Sequence, residues 1–148
     1  MKFALLNPNW DFTGSTYFGC REPHIPLELL FACDQLRAAG HDSLLIDAQT
    51  DNLTLQEARR RVRAFAPDFL VIPTAPSYLF WRCPPPELRV PMEWFAGLES
   101  PAIKVAIGPH PSATPASRFG YCRSRKTRTS FIWASTRSAS PAACLQGR

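Results

Sequence analysis

Four short, largely apolar segments alternate with longer segments of helical periodicity, and this alternation limits the chain to few architectures. The apolar segments cover residues 2–6, 43–46, 69–72 and 104–107, and they are followed by Asn, Asp, Pro and Gly. Short apolar runs of this kind are typical of strands that are buried on both faces. The order β-α-β-α-β-α-β therefore predicts an α/β fold, in which an open parallel sheet carries helices on both faces.

The intervening segments carry helix signals at their ends. In the first, apolar residues share one face and Gly40 marks the end; these residues are Leu29, Leu30, Cys33 and Leu36. The second opens with Thr54 and Glu57 at the spacing of a capping box. The third is predicted over about residues 87–98, with Pro91 either in its first turn or splitting it.

Length and composition favour one folded domain in a soluble, cytoplasmic protein. The chain has 148 residues, of which 45% are hydrophobic. The apolar run at the N-terminus is shorter than the roughly seven to fifteen residues of a signal-peptide core. No stretch approaches the ~20 apolar residues of a membrane span, so no membrane partner is expected. The five cysteines are at least 13 positions apart, which favours reduced thiols over a disulfide framework or a zinc site.

The positive charge of the chain belongs to its C-terminal segment. Residues 118–148 contain six Arg, one Lys and no acidic residue, whereas residues 1–117 contain ten basic and twelve acidic side chains. The net charge of +5 is therefore weak evidence for nucleic-acid binding, which is not expected here. The second helix carries four further arginines, which lie mostly outside its apolar stripe and are interpreted as a solvated face; they are Arg59, Arg60, Arg61 and Arg63.

Ligands of open parallel sheets bind outside the carboxyl ends of the strands. The segments that follow strands one, three and four are rich in Pro, Gly, Ser, Thr, Asn and aromatic residues, and they contain no obvious catalytic pair. This composition is typical of a surface that holds a large, flat ligand with polar edges. The candidate binding residues are Asn7, Pro8, Asn9, Trp10, Thr74, Ala75, Pro76, Ser77, Tyr78, Gly108, Pro109, His110, Pro111 and Ser112.

Two common nucleotide motifs are absent. The first strand is followed by Asn-Pro-Asn-Trp where a nicotinamide cofactor would require GxGxxG, and no phosphate-binding P-loop is present. Without those glycines, Asp47 is interpreted as a strand-end cap or a helix partner. The sequence Thr13-Gly-Ser-Thr16 resembles a flavodoxin phosphate loop, but no helix follows until about Leu27. A flavodoxin-like flavin-binding or regulatory module is therefore the alternative.

Several motifs occur in an informative order. Asn7-Pro8 follows the first strand, the first helix ends in Arg-Ala-Ala-Gly-His41, and the second strand ends in Leu-Ile-Asp47-Ala. Gly-Pro-His-Pro-Ser follows the fourth strand, over residues 108–112. Together these motifs resemble the N-terminal cobalamin-binding domain of cobalamin-dependent radical S-adenosylmethionine proteins, over residues 2–117.

The resemblance implies a Rossmann-like domain that holds the corrin ring across the carboxyl ends of the strands. Small hydroxyl residues such as Thr74, Ser77 and Ser112 would donate to the amide edges of the corrin, and Tyr78 would pack on the ring. No Asp-x-His-x-x-Gly motif is present, so no histidine ligand to cobalt is expected. His41 is interpreted as a turn residue, and His110 as either a structural residue or a polar contact to the cofactor.

The resemblance also implies a partner domain that binds a [4Fe–4S] cluster and S-adenosylmethionine for methyl transfer or a related rearrangement. The cluster motif Cys-x3-Cys-x2-Cys does not occur in this chain, so the chain is not expected to be an enzyme by itself. The predicted architecture is accordingly an incomplete cobalamin-binding domain over residues 2–117, truncated at its C-terminal side and followed by a basic tail.

The tail, residues 118–148, departs from the preceding pattern. It has no acidic residue, no helical stripe and no cap, and it is rich in Arg, Ser and Ala. We expect that it is translated in a shifted reading frame, since a GC-rich coding sequence yields this composition out of frame. A genuine disordered basic tail is the alternative. The other two frames of the DNA after codon 117 should encode a helix, a strand and a cysteine motif; if neither does, the frameshift hypothesis fails.

Overall fold

The computed structural model describes residues 1–11, 23–76 and 88–108, together with the backbone of residues 132 and 133. The elements alternate as the sequence predicts, with most boundaries within one or two residues of expectation. They are β1 (Lys2–Asn7), α1 (Leu27–Ala38), β2 (Asp42–Asp47), α2 (Leu55–Phe65), β3 (Phe69–Pro73), α3 (Arg89–Gly97), β4 (Ile103–Ile107) and β5 (Ile132–Trp133).

All pairs of neighbouring strands are parallel, in the order β2-β1-β3-β4-β5. β1 is paired along its whole length with β2, from Lys2 opposite Asp42 to Asn7 opposite Asp47. Its other edge pairs with β3, from Phe3 opposite Phe69 to Leu5 opposite Val71. The predicted open α/β sheet is therefore confirmed.

Helices cover both faces of the sheet. Leu5 packs with Leu29 and Cys33 of α1, whereas the next residue, Leu6, packs on the opposite face. The larger cluster on that opposite face includes Val62 of α2 and Trp94 of α3. Successive residues of β1 are thus buried on opposite sides, because side chains alternate along a strand. This arrangement explains why the strand sequences are continuously apolar.

β5 is one strand more than the sequence analysis predicts. Ile132 pairs with Val105 and Trp133 with Ala106, so this part of the predicted tail adds to the edge of the sheet. The sequence shows only a short apolar patch at residues 131–134, because a two-residue strand is too short to show alternation. The other tail residues lie outside the described part of the chain.

The turn at the end of α1 sets the direction in which the chain continues. α1 ends in a Schellman motif, in which Gly40 N–H donates to Arg37 O over 2.9 Å and His41 N–H donates to Leu36 O over 2.9 Å. Gly40 has φ +79°, which favours glycine. His41 is thus the turn residue that the sequence predicts.

In α3, Pro91 occupies the first turn, where it costs no helical hydrogen bond.

The arginines of α2 form ion pairs at the surface, as expected for a solvated face. Arg61 contacts Asp51 over 2.8 Å, Arg60 contacts Glu57 over 3.9 Å, and Arg59 contacts Glu99. Exposed pairs of this kind contribute about 0–1 kcal/mol each to stability. Within the described ranges, no helix combines the length and apolarity that a membrane span requires.

The N-terminus of α2 has the capping box that the sequence predicts. Glu57 N–H donates to Thr54 Oγ1 over 3.3 Å, and Glu57 Oε2 accepts from Thr54 N–H over 2.8 Å and from its hydroxyl over 2.7 Å. The hydrogen bond from the Thr54 backbone is the largest cause of a lowered pKa at Glu57, and the bond from its hydroxyl is the second. The carboxylate form is therefore the one that the folded state prefers.

A pH-dependent contribution from this cap is expected. Because the pKa of Glu57 is lowered in the folded state, its contribution is present above the ordinary value of 4.5 and is lost as the pH falls through the folded-state pKa. Glu57→Gln should lower the denaturation midpoint at pH 7, and this difference from the wild type should close below pH 4.5.

Glu28→Gln is the matched control, because Glu28 also lies in the first turn of a helix but α1 has no side-chain cap. Because no capping hydrogen bond is lost, Glu28→Gln should change the denaturation midpoint at pH 7 less than Glu57→Gln does. An effect of Glu57→Gln that is the same at pH 3 and pH 7 would contradict the role assigned to the carboxylate.

Candidate functional site

The strand order creates one position where connections diverge. The chain leaves β1 for β2 on one side and then crosses to β3 on the other side of β1. A crevice is expected at such a switch point, outside the carboxyl ends of β1 and β3. Asn7 ends β1 and Thr74 directly follows β3, so two of the predicted loops flank this point.

The structure places every described candidate residue at the carboxyl edge of the sheet. These are Asn7, Pro8, Asn9 and Trp10 after β1, Thr74, Ala75 and Pro76 after β3, and Gly108 after β4. The remaining candidates, Ser77, Tyr78, Pro109, His110, Pro111 and Ser112, lie outside the described residues. Their assignment to a binding site stays a prediction.

Asn7 links the ends of β1 and β2. Its side chain is buried, with 3% exposed, and its Nδ2 donates to Asp47 Oδ1 over 2.8 Å. Its Oδ1 accepts from Trp10 Nε1 over 2.9 Å. Asp47 Oδ1 also accepts from Thr50 N–H over 3.2 Å, so the interpretation of Asp47 as a strand-end cap is confirmed. Asn7 and Trp10 therefore shape this edge through bonds within the protein.

The turn that follows β2 is joined to the loop that follows β1. Ala48 N–H donates to Asn7 O over 2.9 Å, and Asn9 Nδ2 donates to Asn52 Oδ1 over 3.3 Å. The turn is closed by Leu53 N–H, which donates to Ala48 O over 2.9 Å. Residues 48–52, which we call the β2 turn, thus belong to the same edge as the predicted binding loops.

The ends of β3 and β4 approach each other closely. Thr74 is fully buried, and Ile107 O accepts from both its backbone N–H and its hydroxyl, over 2.9 and 3.0 Å. The Thr74 hydroxyl thus donates its one proton to Ile107 O, and donation from Thr74 to a ligand stays a prediction. Gly108 has φ +113°, and a Cβ there would lie 2.9 Å from Thr74 Oγ1. Only glycine fits this approach without displacement.

Gln49 is a polar residue of this edge that sequence reasoning missed. It lies in the β2 turn with 6% exposed, and no described group donates to its Oε1. A single Gln between Ala48 and Thr50 resembles any residue of a polar turn, so the sequence contains no signal for it.

The described residues contain no cluster suited to holding a metal ion. Across residues 1–11, 23–76 and 88–108, no group of three or more His, Cys, Asp or Glu side chains is positioned to hold a metal ion. The edge instead combines buried amides, a buried hydroxyl and close backbone approaches. Such an arrangement is suited to binding a ligand by shape and hydrogen bonds.

The Asn7 bonds generate a stability prediction. Asn7→Asp should lower the free energy of unfolding by about 2–4 kcal/mol at pH 7, because it removes the donor to Asp47 and places two carboxylates together. The pKa of the new carboxyl should be raised, so the loss should shrink as the pH falls and the carboxyl is protonated. Denaturant unfolding at pH 7 and pH 4 measures both effects.

Asn9→Asp is the matched control, since Asn9 makes one long hydrogen bond at the surface. Its effect should stay within about 0.5 kcal/mol, as is usual for surface substitutions. Equal losses for the two variants would show that the buried position of Asn7 is unimportant.

Searches of protein-family models, curated proteins and solved structures give no match to this chain. Its function must therefore be argued from its own residues, and the geometry identifies the carboxyl edge between β1, β3 and β4 as the candidate ligand site.

Proposed function

We propose that this domain binds cobalamin at the carboxyl edge of the sheet. The observation that carries the proposal is the strand order, which sets the loops after β1 and β3 on either side of the switch point. Large, flat ligands need a broad edge of this kind. The Asn-Pro and Thr-Ala-Pro segments are therefore the proposed walls of the site.

The motif order supports the same proposal. Asn7-Pro8 and Asp47-Ala48 stand side by side at this edge, joined by the Asn7–Asp47 and Ala48–Asn7 hydrogen bonds. Gly40 and His41 end α1 in a Schellman motif at the opposite edge. The residues that resemble the cobalamin-binding domain of radical S-adenosylmethionine proteins thus have specific local roles.

The ends of β3 and β4 would form one continuous wall of the proposed site. Because Gly108 has no Cβ, its backbone lies directly against Thr74, and the two loops that follow these strands leave the sheet side by side. When bound, cobalamin would supply a cobalt centre for methyl transfer or a related rearrangement. The [4Fe–4S] cluster and S-adenosylmethionine of that chemistry would come from a partner domain.

Flavin binding is the second candidate function. The order β2-β1-β3-β4-β5 is also that of flavodoxin-like proteins, which hold their flavin at the switch point between β1 and β3. The hydroxyl-rich segment 13–16, which would hold a flavin phosphate, lies outside the described residues. Fold similarity alone does not choose between the two ligands.

Absorbance after gel filtration distinguishes the two candidates. The full chain is incubated with hydroxocobalamin or with flavin mononucleotide and then separated from free ligand. Retained corrin bands are the expected result. Retained flavin bands alone would support the second candidate, and retention of neither ligand would contradict both.

A pair of glycine variants locates the site. Gly108→Ala should displace one wall of the site and weaken cobalamin binding by about tenfold. A tenfold loss of affinity corresponds to ~1.4 kcal/mol of binding free energy. Gly40→Ala is the matched control, because Gly40 also has a positive φ but a Cβ there meets no atom within 4 Å. Both variants should lose stability from backbone strain. Equal affinities for the two variants would place the ligand elsewhere.

A further inference from the structure

Gln49 has a buried carbonyl oxygen that the described protein groups leave unbonded. It is the second residue after β2, and 6% of it is exposed. Its backbone is well anchored, since Gln49 O accepts from Asn52 N–H over 3.3 Å. Its side-chain Oε1, by contrast, receives no hydrogen bond from the described residues. Native proteins leave few buried polar atoms in this state, because the loss of water is then uncompensated.

The turn that carries Gln49 lies beside the candidate site. The β2 turn is joined to the loop after β1 by the bonds from Ala48 to Asn7 and from Asn9 to Asn52. Gln49 therefore lies between two residues whose partners belong to the predicted binding loop. The neighbouring acceptor, Asp47 Oδ1, already receives two hydrogen bonds, from Asn7 and from Thr50.

We propose that Gln49 Oε1 accepts a hydrogen bond from an amide N–H at the rim of the bound ligand. This inference rests on the proposed function and extends it, because it assigns one residue to the recognition of the amide groups at the rim of the ligand. The corrin rim carries primary amides, which donate through N–H. A neutral carbonyl oxygen bonds such donors without the desolvation that a buried carboxylate would require.

The proposal distinguishes Gln49 from a structural residue. If a ligand supplies the donor, the ligand-free protein carries an unsatisfied buried acceptor, and removing that acceptor should cost it no stability. If Gln49 instead holds the turn through an internal water, its removal should destabilise the ligand-free protein. Removal of the Gln49 amide should therefore lower the affinity for the ligand without lowering the stability of the ligand-free protein.

The test uses the full chain with Gln49→Met, which keeps the length of the side chain and removes the amide. Hydroxocobalamin affinity should fall about three- to tenfold, the range that corresponds to one neutral hydrogen bond. The denaturation midpoint of the ligand-free variant should equal or exceed that of the wild type. Gln35→Met, at an exposed position on α1, makes the same chemical change and should alter neither measurement.

The possible outcomes separate this inference from the function on which it rests. A wild-type chain that retains no cobalamin contradicts the proposed function, and the inference fails with it. A wild-type chain that binds, with a Gln49→Met variant of equal affinity, overturns the inference alone. A ligand-free variant that is less stable than wild type also overturns it, since Gln49 then has a structural partner.

Discussion

The parallel pairing of β1 with two neighbours is the constraint on which the rest of the structure depends. Parallel strands cannot be joined by tight turns, and each of the three connections between β1 and β4 carries a helix. Both faces of β1 are then buried, and Leu5 and Leu6 contact different helices. The same geometry gathers the carboxyl ends of all strands at one edge. The candidate site follows from this pairing.

The polar residues at that edge have two different roles. Asn7 donates to Asp47 and accepts from Trp10, and Thr74 donates to Ile107. The bonds to Asp47 and Ile107 hold neighbouring strand ends together. Gln49 has a buried oxygen that no described group satisfies. Composition alone placed Asn7 and Thr74 in one class of candidate binding residues and did not single out Gln49, although Asn, Thr and Gln have similar hydrogen-bonding groups. Burial and partners separate those that shape the edge from the one that we assign to a ligand.

Local signals predicted most of the fold correctly. The Thr54 capping box and the Gly40 turn depend on residues close in sequence, so their energetics are visible without tertiary structure. β5 was not predicted as a strand, since Ile132 and Trp133 become one only by pairing with Val105 and Ala106. Gln49 was missed for a similar reason, since its burial is a property of the folded chain and not of its neighbours in sequence.

The sequence by itself determined the alternation of strands and helices, and it identified the loops at the strand ends as the place for a ligand. Hydrophobic periodicity and helix caps are local properties, because each depends only on residues that are close together in the sequence. Tertiary structure alone decided the strand order and hence the switch point between β1 and β3. It also decided that Asn7 is enclosed and that Gly108 lies against Thr74. Such contacts join residues 33 or more positions apart, and their energies arise from burial that no local pattern encodes.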